Sequence, residues 1–225
     1  MPEWWKHPRS LFVVVDNESW ILPYARNLVE WSCAQGDEAH LCRKHDDIGF
    51  DGIAFFLGCI KITPPDILAR NHVNLVVHAS DLPKGRGMSP WTWQILEGKE
   101  MLPLCLLHAE DKVDSGSIIY KKQLLLKGTE LVADIRDIIG MGTLDLCQDY
   151  LLEPLPPLGQ EQSGKPTYYK KRSPEDSRLD PALSIEEQFN LLRIVDNENY
   201  PAFFDYRGQR YILKISKDET EVSEA

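Results

Sequence analysis

Apolar residues fall into short blocks set apart by polar turn formers. Residues 10–15 are β-branched and aromatic and stop at Asp16-Asn17, which predicts a strand closed by turn formers. Over 18–34, Trp20, Ile21, Tyr24, Leu28 and Trp31 recur at near-helical spacing, with Asn17 or Ser19 available as the N-cap. Gln35-Gly36-Asp37 ends that helix. Residues 38–42 and 53–57 read as further strands, 65–70 as a short helix opened by prolines, and 73–77 as a fourth strand. This alternation predicts an α/β fold on a doubly wound, mostly parallel, Rossmann-like sheet, with ligands at the carboxyl ends of the strands.

Farther on, 90–97 reads as a helix with Ser89 as cap and Pro90 at its first position. Strands over 102–109 and 118–126 flank a turn around Asp114. Thr129 caps a longer helix through about residue 151, with Gly140 and Gly142 inside it marking a kink or a close packing contact. The pattern therefore divides into a catalytic-size unit at 1–152, a Pro, Gly, Gln and Ser-rich linker at 153–166, and a small C-terminal unit at 167–225. Within the last, Ser184-Ile185-Glu186-Glu187 forms a capping box opening a helix to about residue 195. Residues 202–206 and 210–215 flank Arg207-Gly208-Gln209 as a β-hairpin, and the acidic tail 217–225 is expected to fray.

At 225 residues the chain has ample core for one α/β domain with an appendage. A formal net charge of −10 argues against a nucleic-acid partner, because phosphate-backbone binding needs a basic footprint. It leaves room for a small anionic ligand held by a few local cations. The five cysteines include no CxxC pair, and no apolar run is long enough for a leader or a membrane span. Free thiols in the cytoplasm are the expectation. No metal is implied, since the six histidines and five cysteines lack ligand spacing.

The segment with the most chemistry is His78-Ala79-Ser80-Asp81-Leu82-Pro83-Lys84-Gly85-Arg86-Gly87, which leaves an apolar strand. A second marker, Val113-Asp114-Ser115-Gly116-Ser117, feeds another strand. Alone, His78 would read as a satisfied strand-end histidine and Asp114 as a turn former. Together the two segments resemble the signature of the formyltransferases that use 10-formyltetrahydrofolate. That signature is Asn-x-His-x-Ser-x-Leu-Pro, then a basic Arg-Gly turn, then Asp-x-Gly. His78, Ser80, Leu82, Pro83, Arg86, Gly87, Asp114 and Gly116 match it, while Val76 stands where the family has Asn.

The resemblance implies a formyltransferase sheet and an N-formyltransferase activity with N10-formyltetrahydrofolate as co-substrate. His78 would be the base, with Asp114 orienting it. Ile60, Lys61 and Ile62 resemble the loop that receives the pterin ring, with Glu110 and Asp111 meeting that ring from the other side. Ser80, Lys84, Gly85 and Arg86 would bind substrate, the last three as a phosphate cradle suited to a diphosphate. The family Asn donates its amide to the formyl oxygen, and Val76 cannot. Asn74, two residues earlier on the same strand face, would need a bulge to replace it. Otherwise a protonated His78 or a backbone N–H would serve.

Tyr169 to Asp180 resembles the Arg-x-Pro-Glu-Asp segment of several members, and 199–206 resembles their C-terminal hairpin, with Tyr200 offering a ring to a nucleobase. These features favour the sugar-nucleotide N-formyltransferases of surface-polysaccharide pathways. The implied acceptor is a nucleotide-linked amino-deoxy sugar, first a UDP-linked 4-amino-4,6-dideoxy sugar, and the hairpin implies a homodimer. The alternatives are a formyltransferase acting on methionyl-tRNA or glycinamide ribonucleotide, and a folate or sugar-nucleotide binding protein impaired in catalysis by Val76.

Overall fold

The computed structural model describes residues 1–218, so most of the tail expected to fray lies outside the described residues. Its centre is a six-stranded sheet, in spatial order β2-β1-β3-β4-β6-β7. The strands are β1 (Ser10–Val14), β2 (Glu38–Cys42), β3 (Ile53–Phe56), β4 (Val73–His78), β6 (Met101–His108) and β7 (Ile118–Leu125). A two-residue strand, β5 (Arg86–Gly87), lies outside this sheet. The first four are parallel, and β1 and β3 are apolar at almost every position because both of their faces are covered.

Leu11, Val13, Ile53, Phe55 and Leu75 point to one side. There they meet Ala25 and Leu28 of α1 (Leu22–Ala34) and Ile135, Ile139, Leu146 and Tyr150 of α4 (Val132–Leu152). The opposite side carries Phe12, Val14, Ala54 and Phe56, closed by Ile48 and by Ile67 of α2 (Pro65–Leu68). The sheet is mixed rather than wholly parallel, since β6 runs antiparallel to β4 and β7 antiparallel to β6. This reversal matters for the site: the β6–β7 connection emerges beside Asn74, whose carbonyl accepts from Ala109 N at 2.8 Å, and must fold back over the sheet face to reach His78.

Several local signals act differently from their sequence reading. α4 runs unbroken through both glycines, and Gly140 marks a close packing contact: a Cβ there would lie 2.4 Å from the ring of Tyr24. Its N-terminus is capped through Asp134, which accepts from Leu131 N, and not by Thr129. Ser89 precedes α3 (Pro90–Leu96) in a left-handed conformation (φ 55°), so its hydroxyl does not cap, although Pro90 takes the first helical position as expected. The Ser184–Glu187 box forms, but i,i+3 turns follow it and only α5 (Phe189–Leu192) becomes helical. There the Gln188 side chain donates to the carbonyls of Asp180, Leu183 and Ser184. The expected hairpin is present as β9 (Ala202–Tyr206) and β10 (Gln209–Leu213), packed on Leu179, Leu192 and Val195. The stretch read as a linker is tied to the sheet: Gln160 and Ile118 exchange two backbone hydrogen bonds of 2.8 Å. No helix among the described residues is long and apolar enough to cross a membrane.

Candidate active site

His78 is the last residue of β4 and turns its ring to the same sheet face as Val76. Asp114 sits in the folded-back loop with φ 51°, a left-handed conformation that Asp tolerates better than most residues. The two side chains meet: His78 Nδ1 lies 3.5 Å from Asp114 Oδ1, with 7% and 10% of each exposed. On the other side of the ring, His78 Nε2 lies 2.8 Å from the carbonyl oxygen of Gly85. A carbonyl can only accept, so Nε2 carries a hydrogen and Nδ1 is the nitrogen left to take a proton beside the carboxylate.

The Lys84–Gly87 turn holds both members of the pair. Gly85 supplies the carbonyl to His78, and Gly87 N donates to Asp114 Oδ2 at 2.8 Å. The turn is itself paired, as β5, in parallel with β8 (Tyr168–Tyr169). Arg86 N donates to Thr167 O, Met88 N to Tyr169 O and Gly85 N to Thr167 Oγ1. Glycine is needed at both positions. Gly85 and Gly87 have φ of +75° and +97°, and added Cβ atoms would lie 2.7 Å from the Tyr169 ring and 2.5 Å from the Tyr169 carbonyl oxygen.

Every backbone N–H from Lys84 to Gly87 is thus already committed, Lys84 N going to Asp81 O. What remains for an anion is side-chain charge. Lys84 is exposed. The Arg86 guanidinium donates to Gln162 Oε1 at 2.8 Å, while its buried Nε has no partner. Ser80 lies beneath, buried, with its hydroxyl also unpartnered.

Val76 and Ile118 pack against Leu82, Cys105 and Leu107, forming an apolar floor under the site. Asn74 does not replace the family amide. Its strand pairs with β3 in unbroken register, and its Nδ2 donates to Leu68 O at 2.8 Å.

The remaining sequence candidates lie on the loop after β3, on the Asp114 loop and in the C-terminal unit. Ile60 and Ile62, on the loop after β3, are 54% and 72% exposed, and Lys61 is exposed between them. Asp16 at the end of β1 holds that loop by accepting from Ile60 N and Lys61 N. Burial raises the Asp16 pKa, but the hydrogen bonds from Asn17, Ile60 and Lys61 outweigh it and hold the carboxyl below its ordinary value. Glu110 and Asp111 are exposed in the Asp114 loop, where Val113 is 45% exposed. Tyr200 stands apart, 42% exposed in the C-terminal unit, with its amide bound to Asp196 O. Two surface concavities of about 610 and 300 Å³ lie elsewhere, along α4, and include none of these residues.

Sequence reading missed Gln162, Thr167 and Tyr169 as parts of the site. The polar run 160–167 resembles any solvated linker, and only its pairing with the glycine turn distinguishes it.

No protein-family model matches the chain. It is 30% identical over 163 residues to the methionyl-tRNA formyltransferase of Ruegeria pomeroyi, covering 69% of this chain and 52% of that protein. The corresponding enzyme of Thermodesulfovibrio yellowstonii is 26% identical over 141 residues, 59% of this chain and 44% of the other. The chain spans about half the length of the curated relatives it matches. Among solved structures, methionyl-tRNA formyltransferase from Clostridium thermocellum superposes with a TM-score of 0.79 at 22% identity, over 94% of each chain. A sugar N-formyltransferase from a Shewanella species gives 0.70 at 15%, over 94% of this chain and 99% of that one. HypX from Aquifex aeolicus, in complex with tetrahydrofolic acid, gives 0.71 at 14%, over 93% of this chain and 38% of that one. These likenesses establish a shared fold.

Proposed function

We propose that this chain, which belongs to the formyltransferase family, transfers a formyl group from N10-formyltetrahydrofolate to an amine. The observation that carries the reading is the nearly buried His78–Asp114 pair, 3.5 Å apart and held on one backbone turn. The loop after β3, which is the strand next to β4, and the Asp114 loop carry side chains that suit a folate: exposed Ile60, Ile62 and Val113 offer apolar walls to a flat ring, and Glu110 and Asp111 offer acceptors to its N–H groups.

When bound, the folate donor supplies the activated one-carbon unit. As the acceptor nitrogen bonds to the formyl carbon, His78 Nδ1 takes its proton, the Asp114 carboxylate stabilises the imidazolium so formed, and that proton is returned to N10 of the departing folate as the C–N10 bond breaks. The Gly85 carbonyl keeps the ring from turning as its charge changes. With Val76 in place of an amide, the charge developing on the formyl oxygen falls to His78, in its protonated form.

The acceptor we propose is a nucleotide-linked amino-deoxy sugar, with Lys84 and Arg86 meeting its diphosphate and Ser80 and Gly85 lining its approach. The net charge of −10 supports a small anionic substrate over a nucleic acid, in a homodimeric cytoplasmic enzyme. A second reading, methionyl-tRNA as acceptor, is favoured by the names of the curated relatives.

Incubating the protein with 10-formyltetrahydrofolate and a panel of acceptors separates these readings by product mass. The panel comprises UDP-, dTDP- and GDP-amino sugars, charged initiator tRNA and glycinamide ribonucleotide. A formylated sugar nucleotide is the expected product. Folate binding with no transfer to any amine would reduce the protein to a binding module.

A further inference from the structure

Gln162 lies in a stretch whose composition suggests nothing but a tether, yet all of its side-chain hydrogen-bonding groups are used. Its Nε2 donates to the carbonyl oxygens of Asp114 and Gly116, both at 2.8 Å. Its Oε1 accepts from Arg86 at 2.8 Å. The first two bonds grip the backbone on either side of Ser115, in a turn where Asp114 has φ 51°. A left-handed conformation is unfavourable for a non-glycine residue and persists where its surroundings determine it. The third bond holds a guanidinium that makes no ion pair among the described residues and whose buried Nε has no partner.

We propose that Gln162 is a positioning residue that fixes the Arg86 cation and the Asp114 turn in one rigid frame. An anionic group of the substrate held at Arg86 is thereby kept in register with the His78–Asp114 pair. The neutral amide is suited to this. It satisfies one arm of Arg86 without cancelling the charge, whereas a carboxylate would neutralise the guanidinium and repel the two carbonyls. The proposal rests on the reading of Arg86 as the anion-binding cation of a formyl-transfer site, but its geometric half does not.

The test uses the full chain with Gln162→Met, similar in length and without strong donors or acceptors, and Gln162→Glu, which keeps only the acceptor toward Arg86. Thermal unfolding verifies that each is folded. In the substrate-free protein, the ¹⁵N resonances of the His78 ring and their pH titration are followed by NMR. Both variants are expected to shift the His78 signals, because Asp114 Oδ1 is no longer held beside Nδ1. In turnover, Gln162→Met is expected to lower kcat about 10- to 100-fold, the size of a misplacement near 1 Å. Gln162→Glu is expected to raise KM for the anionic amine about tenfold as well, for loss of one charge-assisted contact, with KM for the folate donor unchanged. His78 signals that superimpose on the wild type in two folded variants would overturn the proposal. If the wild type itself formylates no anionic amine, the functional reading fails while the NMR result still decides the positioning role.

Discussion

Gly85 holds His78 through its carbonyl oxygen, 2.8 Å from Nε2, and that contact decides which ring nitrogen is left to do chemistry. Two residues on, the amide of Gly87 holds Asp114 Oδ2 at the same distance. Both members of the acid–base pair are thus held directly by backbone groups of one turn, and the backbone conformation that permits it is open mainly to glycine.

Gly87→Ala is accordingly expected to be more damaging than its size suggests. The left-handed φ alone costs about 1–2 kcal/mol. The new Cβ would also meet the Tyr169 carbonyl oxygen at 2.5 Å, an obstacle that cannot move without breaking its bond from Met88 N. The urea midpoint should fall and formyl transfer should drop by at least about tenfold. An alanine variant with wild-type midpoint and turnover would show that the turn does not position the pair.

His78→Asn and Asp114→Asn separate chemistry from architecture. His78→Asn removes the only proposed proton acceptor, so turnover should fall by about 10²–10⁴-fold while thermal unfolding stays close to wild type. Asp114→Asn keeps an acceptor for Gly87 N but loses the charge that stabilises the imidazolium, so kcat should fall with little change in KM. Unimpaired turnover in His78→Asn, measured as tetrahydrofolate release, would remove the imidazole from the mechanism.

The pair itself was legible in the sequence, because strand-end His78 and turn-forming Asp114 stand in a recognisable order. The parallel half of the sheet was legible as well, since runs such as 10–15 and 53–57 are apolar on both faces. What was hidden depended on contacts distant in sequence. Nothing local to β6 and β7 reveals that they run antiparallel to β4, and so nothing reveals that Asp114 reaches His78 across the sheet face. The Lys84–Gly87 turn has the composition of an anion cradle, but its amides are taken by Thr167, Asp81 and Asp114, partners up to 82 residues away. The Ser184 capping box formed as read, yet hydrogen bonds from Gln188 to the carbonyls ahead of it accompany a segment of turns rather than the expected helix.

Asp196 links the C-terminal unit to the start of α4, accepting from Arg136 at 3.0 Å and from the backbone amides of Glu198 and Asn199. Burial works against its charged form, but these donors and the Asn199 side chain prevail and bring its pKa down to about 2. The folded value lies below the unfolded one, near 3.8, so its stabilising contribution is complete above about pH 4 and is lost as pH falls toward 2. Asp196→Asn should therefore lower the urea midpoint at neutral pH, and the gap to wild type should narrow between about pH 4 and 2. A gap that stays constant over that window would mean that Asp196 does not couple the two units through its charge.

Val76 poses the sharpest question about the chemistry, because it puts an apolar floor where the resemblance expects an amide. Restoring that amide with Val76→Asn places a polar group among Leu82, Cys105 and Leu107, where the amide groups not turned toward the site lack partners. A stability loss of about 1–3 kcal/mol is expected for burying such a group. Against it stands the gain of a donor aimed at the formyl oxygen, a kind of contact whose removal elsewhere costs about 10²–10³ in rate. If His78 alone now meets the developing charge, kcat should rise at least about tenfold in the folded variant. A folded Val76→Asn protein with unchanged kcat would show that another donor already serves the formyl oxygen, and that His78 acts only as the base.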